Sequence, residues 1–186
     1  KASGGPSTDR FQSVVYSKDG ASIYAVGDGR YEVDYTQSLV VKFATSDGTI
    51  GFSKYLNSNT ETSYATGVAT IGTSDIVVSG WEYNTINGIN RDQQFVARLN
   101  QSGQVVWKKF YSDSGWDNSI DQNSDIQVDS DDNIYVTIKL GPNVFDWSSS
   151  GFTVTKLDKD GNLLWSRCVN GNQSSYLGNF NGNRWS

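Results

Sequence analysis

The sequence holds no histidine, no methionine, one cysteine and three glutamates (Glu32, Glu61 and Glu82) among 186 residues. Without histidine there is no His-based triad, no imidazole general base and none of the commonest metal ligand. The lone Cys168 permits no intramolecular disulfide and leaves zinc and iron–sulfur ligand sets incomplete. It lies in the run Leu163 to Val169, which reads as a strand, where a thiol is expected as a buried packing group. No run of 18 apolar residues exists to span a membrane. Basic residues are outnumbered 15 to 20 and scattered, and a net charge of −5 offers nucleic acid no basic stripe. With no Met and no secretory leader, the chain is expected to be a processed product or a segment of something longer.

What is abundant is Asn, Ser, Asp and Gly, together with 13% aromatic residues. That profile belongs to a turn-rich all-β protein with enough ring mass for a core. One pattern recurs three times. Lys42-Phe43 is followed by Gly48 and Phe52-Ser53-Lys54; Arg98-Leu99 by Gly103 and Trp107-Lys108-Lys109; Lys156-Leu157 by Gly161 and Trp165-Ser166-Arg167. Arg98 follows Lys42 by 56 residues and precedes Lys156 by 58, a period that marks a repeat architecture.

Residues 1–8 read as a linker, 9–57, 58–113 and 114–172 as three repeat units, and 173–186 as the start of a fourth or a closing segment. Each unit carries four short apolar runs. In the first they are Phe11 to Tyr16, Ile23 to Gly27, Leu39 to Phe43 and Ile50 to Leu56, with hairpin turns at Ser17-Lys18-Asp19-Gly20 and Ser46-Asp47-Gly48. A long polar-aromatic loop is expected between the middle two strands of each unit: Asp28 to Gln37, Trp81 to Asp92, and Lys139 to Ser150. In Leu39 to Phe43 and Phe95 to Leu99 both faces are apolar, whereas a sheet with one wet face would alternate. The expectation is a set of four-stranded antiparallel sheets packed face to face, like β-propeller blades, with Phe52, Trp107 and Trp165 in one equivalent interblade place. A closed propeller takes about four to eight blades. Further blades of the same polypeptide or other protein chains are therefore the expected partners.

Asp132 to Thr137 (Asp-Asn-Ile-Tyr-Val-Thr), Phe95 to Asn100 (Phe-Val-Ala-Arg-Leu-Asn) and Lys156 to Ser166 carry a resemblance. Over roughly residues 9–172 the chain resembles the bacterial seven-bladed β-propeller repeat abbreviated SBBP. The third unit matches best; the first has Phe52 in place of Trp and one extra residue before Gly48. The resemblance implies a propeller fold and an extracellular setting, on bacterial surface or secreted proteins or in structural proteins of tailed phages. It brings no catalytic residues and no cofactor, and fold alone does not fix function.

Chemistry at carboxylates is the remaining catalytic option. A glycosidase needs a paired acid and nucleophile or base, for which Glu32, Glu82 and Asp146 are the candidates. The competing reading makes them solvated loop residues. Asp129-Ser130-Asp131-Asp132-Asn133 lacks the glycine and the final glutamate of an EF-hand loop and reads as a hairpin turn, so no metal site is assigned. The long loops would share one face and present Tyr31, Tyr35, Trp81, Tyr83, Asn84, Phe145 and Trp147. Rings mixed with amides suit surface glycans or a protein partner, and equally suit packing against the blade beneath. The expectation drawn is a non-enzymatic structural or interaction module mediating assembly or attachment, with a lectin-like binder as the alternative and a carbohydrate-active enzyme third.

Overall fold

The computed structural model describes residues 9–31, 35–56, 62–86, 89–111, 120–121, 125–140 and 151–170. Among them there is no helix, and so none long and apolar enough to cross a membrane. The described residues include thirteen strands, in three antiparallel sheets. The first sheet holds β1 (Arg10–Tyr16), β2 (Ser22–Tyr31), β3 (Tyr35–Ala44) and β4 (Ile50–Tyr55). The second holds β5 (Ser63–Ile71), β6 (Asp75–Ile86), β7 (Ile89–Leu99) and β8 (Val105–Tyr111). The third holds β10 (Ile126–Val128), β11 (Ile134–Leu140), β12 (Gly151–Leu157) and β13 (Leu163–Asn170), with β9 (Ile120–Asp121) paired to the end of β11.

The middle sheet is buried on both faces, and its sequence explains how. Alternate residues of one strand point to opposite sides. Ile76 and Val78 join Tyr24, Val26 and Val40 of the first sheet in one core, as do Phe95, Ala97 and Leu99. Val77 and Val96, between them in sequence, join Ile126, Ile134, Val136 and Leu157 of the third sheet in the other. Two-sided apolar strands are therefore sandwiched strands, as their patterning requires.

Two expected loops are strand instead. β2 and β3 stay paired out to Tyr31↔Tyr35, and β6 and β7 out to Ile86↔Ile89. Polar residues that make these stretches look like loops are held within the stack: Asp28, Gln37 and Glu82 are all buried, as are Ser38 and Gln94 just beyond them. Arg10 donates through Nε to the Asp28 carboxylate at 2.8 Å, and Ser63 Oγ accepts from the Ser38 amide at 2.9 Å. The third expected loop, Lys139 to Ser150, has its first two residues in β11, and the rest lies outside the described residues.

The sheets converge along one edge. β5 lies against β1, β2 and β3, and β10 lies against β5 and β6. At the first hairpin turns all three sheets meet at Asp132, whose Oδ1 accepts from the Gly72 amide at 2.9 Å and from Lys18 Nζ at 3.5 Å. Stacked sheets are about 10 Å apart face to face, so one lysine bridges from first to third only where the sheets fan together. Among the described residues, Asp132 is also the one non-glycine residue with positive φ, at 62°. Aspartate tolerates that conformation better than most residues. Asp132→Ala should lose about 1–2 kcal/mol, from left-handed strain together with the lost bond to Gly72, and Asp132→Gly should lose less. Paired urea titrations of the two variants test that ordering.

Candidate functional site

The recurring pattern folds into a joint that is used twice between sheets. It begins with a turn. Gly103 and Gly161 adopt φ of 72° and 74° at the end of three-residue loops closed by Gly103 N→Asn100 O (2.8 Å) and Gly161 N→Asp158 O (3.0 Å). A left-handed third residue followed by a bulge is a common hairpin solution, and the register slips between Arg98 and Leu99 and between Lys156 and Leu157. The side chain opening each loop stiffens it. Asn100 Oδ1 accepts from the Ser102 and Gln104 amides, and Asp158 Oδ1 from the Asp160 and Asn162 amides, at 2.8–3.0 Å.

Each turn receives a ring from the preceding sheet. A Cβ on Gly103 would stand 2.8 Å from the Phe52 ring, and one on Gly161 would stand 3.0 Å from the Trp107 ring. The left-handed glycine is thus both a turn residue and the floor on which the aromatic rests. A cation from the same cross-strand row fixes the turn's outer carbonyls. Lys42, paired with Phe52, donates to Gln101 O at 3.3 Å; Arg98, paired with Trp107, donates to Lys159 O at 3.1 Å. Lys109 adds bonds to Asp160 O and to Asn162 Oδ1. The rows are Tyr24–Lys42–Phe52 in the first sheet, Val77–Arg98–Trp107 in the second and Tyr135–Lys156–Trp165 in the third.

The third row keeps the cation and the ring and has a different surrounding. Trp165 is 37% exposed, and its aromatic neighbour among the described residues is the edge of Tyr135, centroid to centroid 6.1 Å. Lys156 sits over the Tyr135 ring and 3.8 Å from Asp129. On the first sheet, the face turned away from the second bears exposed Val14, Tyr16 and Ile50, with Phe11 edge-on to Phe43. The first sheet's outward face is thus apolar and bare, and the third's is aromatic and cationic with its tryptophan partly bare, conditions that mark interaction surfaces.

The aromatic residues expected on a loop face divide. Tyr35 and Tyr83 are 41% and 42% exposed at the far ends of the extended hairpins. Trp81 is buried at 8% exposure and stacks on Tyr64, centroids 4.4 Å apart, because it lies within β6 and not in a loop. Tyr31 and Asn84 belong to β2 and β6, their side chains outside the description; Phe145 and Trp147 lie outside the described residues. Of the carboxylates considered for catalysis, Glu82 is buried and ion-paired with Lys108, whose ammonium also lies 4.5 Å from the Phe95 ring centroid. Glu32 and Asp146 lie outside the described residues.

Asp129 is a turn former. Its carboxylate accepts from the Asn133 side-chain and backbone nitrogens, the Asp131 amide and the Tyr135 hydroxyl. These donors, Asn133's side chain foremost, hold its pKa down at about 2, against the ordinary 3.8. A group whose folded pKa is depressed contributes stability above its unfolded pKa and loses it as pH falls through the folded value. The stability gap between the native chain and Asp129→Ala should therefore narrow from about pH 4 to about pH 2, and NMR titration should place this carboxyl near the bottom of that window. Among the described residues no group of three or more His, Cys, Asp or Glu side chains could hold a metal ion.

What sequence reasoning missed is the glycine's second role. Gly103 and Gly161 are legible as turn residues, but their recurrence one unit after a cation and a ring also signals a docking seat. No protein-family model matches the chain, and no curated protein matches it either.

Proposed function

We propose that the chain is a non-enzymatic structural and interaction module, a run of β-propeller-like blades that works by assembly or attachment outside the cytoplasm, in a phage particle or on a bacterial surface. The observation that carries the reading is the middle sheet: it is buried on both faces, while the first sheet leaves Val14, Tyr16 and Ile50 bare on its outward face and the third leaves Trp165 partly bare on its own. A module with that construction is completed by neighbours. The fanned edge around Asp132 and the likeness of the repeat to SBBP sequences support the blade description. The one described candidate acid, Glu82, is held in a buried ion pair. The test is fractionation of the native source with an antibody to the chain. The reading expects the chain in a body far larger than its own 20.4 kDa; recovery as a free 20 kDa species would refute it.

Exposed Tyr35 and Tyr83 favour glycan binding as a second reading, since rings at a surface stack on sugars. A glycan array with the native chain and with a Tyr35→Ala, Tyr83→Ala double variant decides it. Signal lost in the variant supports that face; signal retained excludes it.

A further inference from the structure

We infer that the row Tyr135–Lys156–Trp165 docks on the outward face of the first sheet of a second copy of this chain, with the Trp165 ring over Gly48. This rests on the assembly reading above and names its partner and residues. The chain uses one joint twice: ring over left-handed glycine, cation to the carbonyl two residues before that glycine. Two seats are filled, Gly103 by Phe52 and Gly161 by Trp107. The third glycine of the series, Gly48, has φ of 73°, and a Cβ built on it meets nothing within 4 Å. One ring of the series, Trp165, stays partly bare. Each outward face therefore supplies what the other lacks.

The surroundings match as well. The face that carries Gly48 also carries exposed Val14, Tyr16 and Ile50, apolar surface such as the inner joints bury. By analogy with Lys42 and Arg98, Lys156 would reach the Ser46 carbonyl, and Arg167, in the place of Lys109, would reach the turn beside Asp47. Cations of the third sheet would thus meet a turn bearing a carboxylate. The contact is heterologous, so it propagates until it closes. Two copies bring six sheets together, within the number at which propeller-like rings close, about four to eight. The first sheet's turn has one more residue than the others, closed by Gly48 N→Ala44 O at 3.0 Å, and it still delivers its glycine left-handed.

The experiment is sedimentation velocity of the 186-residue chain across a concentration series, beside Trp165→Ala, Trp165→Phe and Gly48→Asn. Asparagine accepts the left-handed backbone while placing a side chain where the ring would rest. The native chain should associate, and Trp165→Ala and Gly48→Asn should each weaken association by about 30-fold or more, the loss of a central aromatic anchor. Trp165→Phe should retain most of it, since Phe52 makes the same joint. An equimolar mixture of Trp165→Ala and Gly48→Asn should form a one-to-one complex, because each keeps the half the other has lost. A native chain that stays monomeric into the millimolar range overturns the pairing, as does association that both variants leave unchanged. Neither result touches the assembly reading, which stands or falls on the size of the body recovered from the native source.

Discussion

Replacing Gly80 with alanine is expected to cost about 3 kcal/mol, near the top of the usual range for overpacking, because the obstacle is backbone. β1 and β5 each carry a bulge where they cross β2 and β6, between Phe11 and Ser13 and between Ala65 and Gly67. At those crossings Gly27 pairs with Phe11 and Gly80 with Ala65. A Cβ on Gly80 would overlap the Tyr64 carbonyl oxygen and come within 2.7 Å of the Phe95 ring; one on Gly27 would overlap the Arg10 carbonyl. The third sheet supplies the internal comparison. There β10 begins at Ile126, opposite Val136, and isoleucine stands at the equivalent position 138. Urea unfolding should show a lower midpoint with little change in slope for Gly80→Ala. Gly20→Ala, at a turn with open space around it, should lose only the left-handed backbone term of about 1 kcal/mol.

Trp107→Ala is expected to lose about 3 kcal/mol, the scale for truncating a packed aromatic. Its ring covers Gly161 and belongs to the core between the second and third sheets. The same substitution at Trp165, measured where the chain is monomeric, should stay within about 1 kcal/mol, since that ring is 37% exposed and no described sheet lies on it. The pair isolates context from chemistry: one residue type in one repeat position, once between two sheets and once at an outward face. Equal losses at both positions would show that the third row is already covered within the chain.

The strands and their turns were legible because they obey local rules. Asp-Gly and Asp-Lys-Asp-Gly turns set hairpin positions, and apolar residues on both faces of Leu39 to Phe43 announced sheets with two neighbours. The lengths of β2, β3, β6 and β7 were not legible, for a physical reason. Asp28, Gln37 and Glu82 are buried among stacked sheets, where a polar side chain looks like loop material to any reading of composition. Beside them, the hydroxyls of Ser38 and Ser79 and both amide atoms of Gln94 are buried with no hydrogen-bond partner among the described residues. Burial of that kind depends on a neighbouring sheet some fifty residues away in sequence, and no local pattern encodes it. Trp81 misled in the same way: beside Glu82 and Tyr83 it reads as an exposed aromatic cluster, yet strand alternation puts it inward against Tyr64. The site was half legible. The triple pattern gave the rings and cations, and only coordinates revealed that the glycines are what they rest on.

The meander order has a consequence for synthesis. Every sheet is built from consecutive strands, so a nascent chain can form the first sheet as soon as Tyr55 has left the ribosome. Its inner face, with Tyr24, Val26 and Val40, is then covered by residues from Ala65 through Phe95 to Leu99. At roughly 5–20 residues per second translation takes a few seconds to supply them, far longer than a hairpin needs to form. During that interval the young sheet carries two greasy surfaces. A chain stalled just past Leu56 is expected to clump or to be captured by holding chaperones, whereas one that has reached Tyr111 has already shielded half of what it carried.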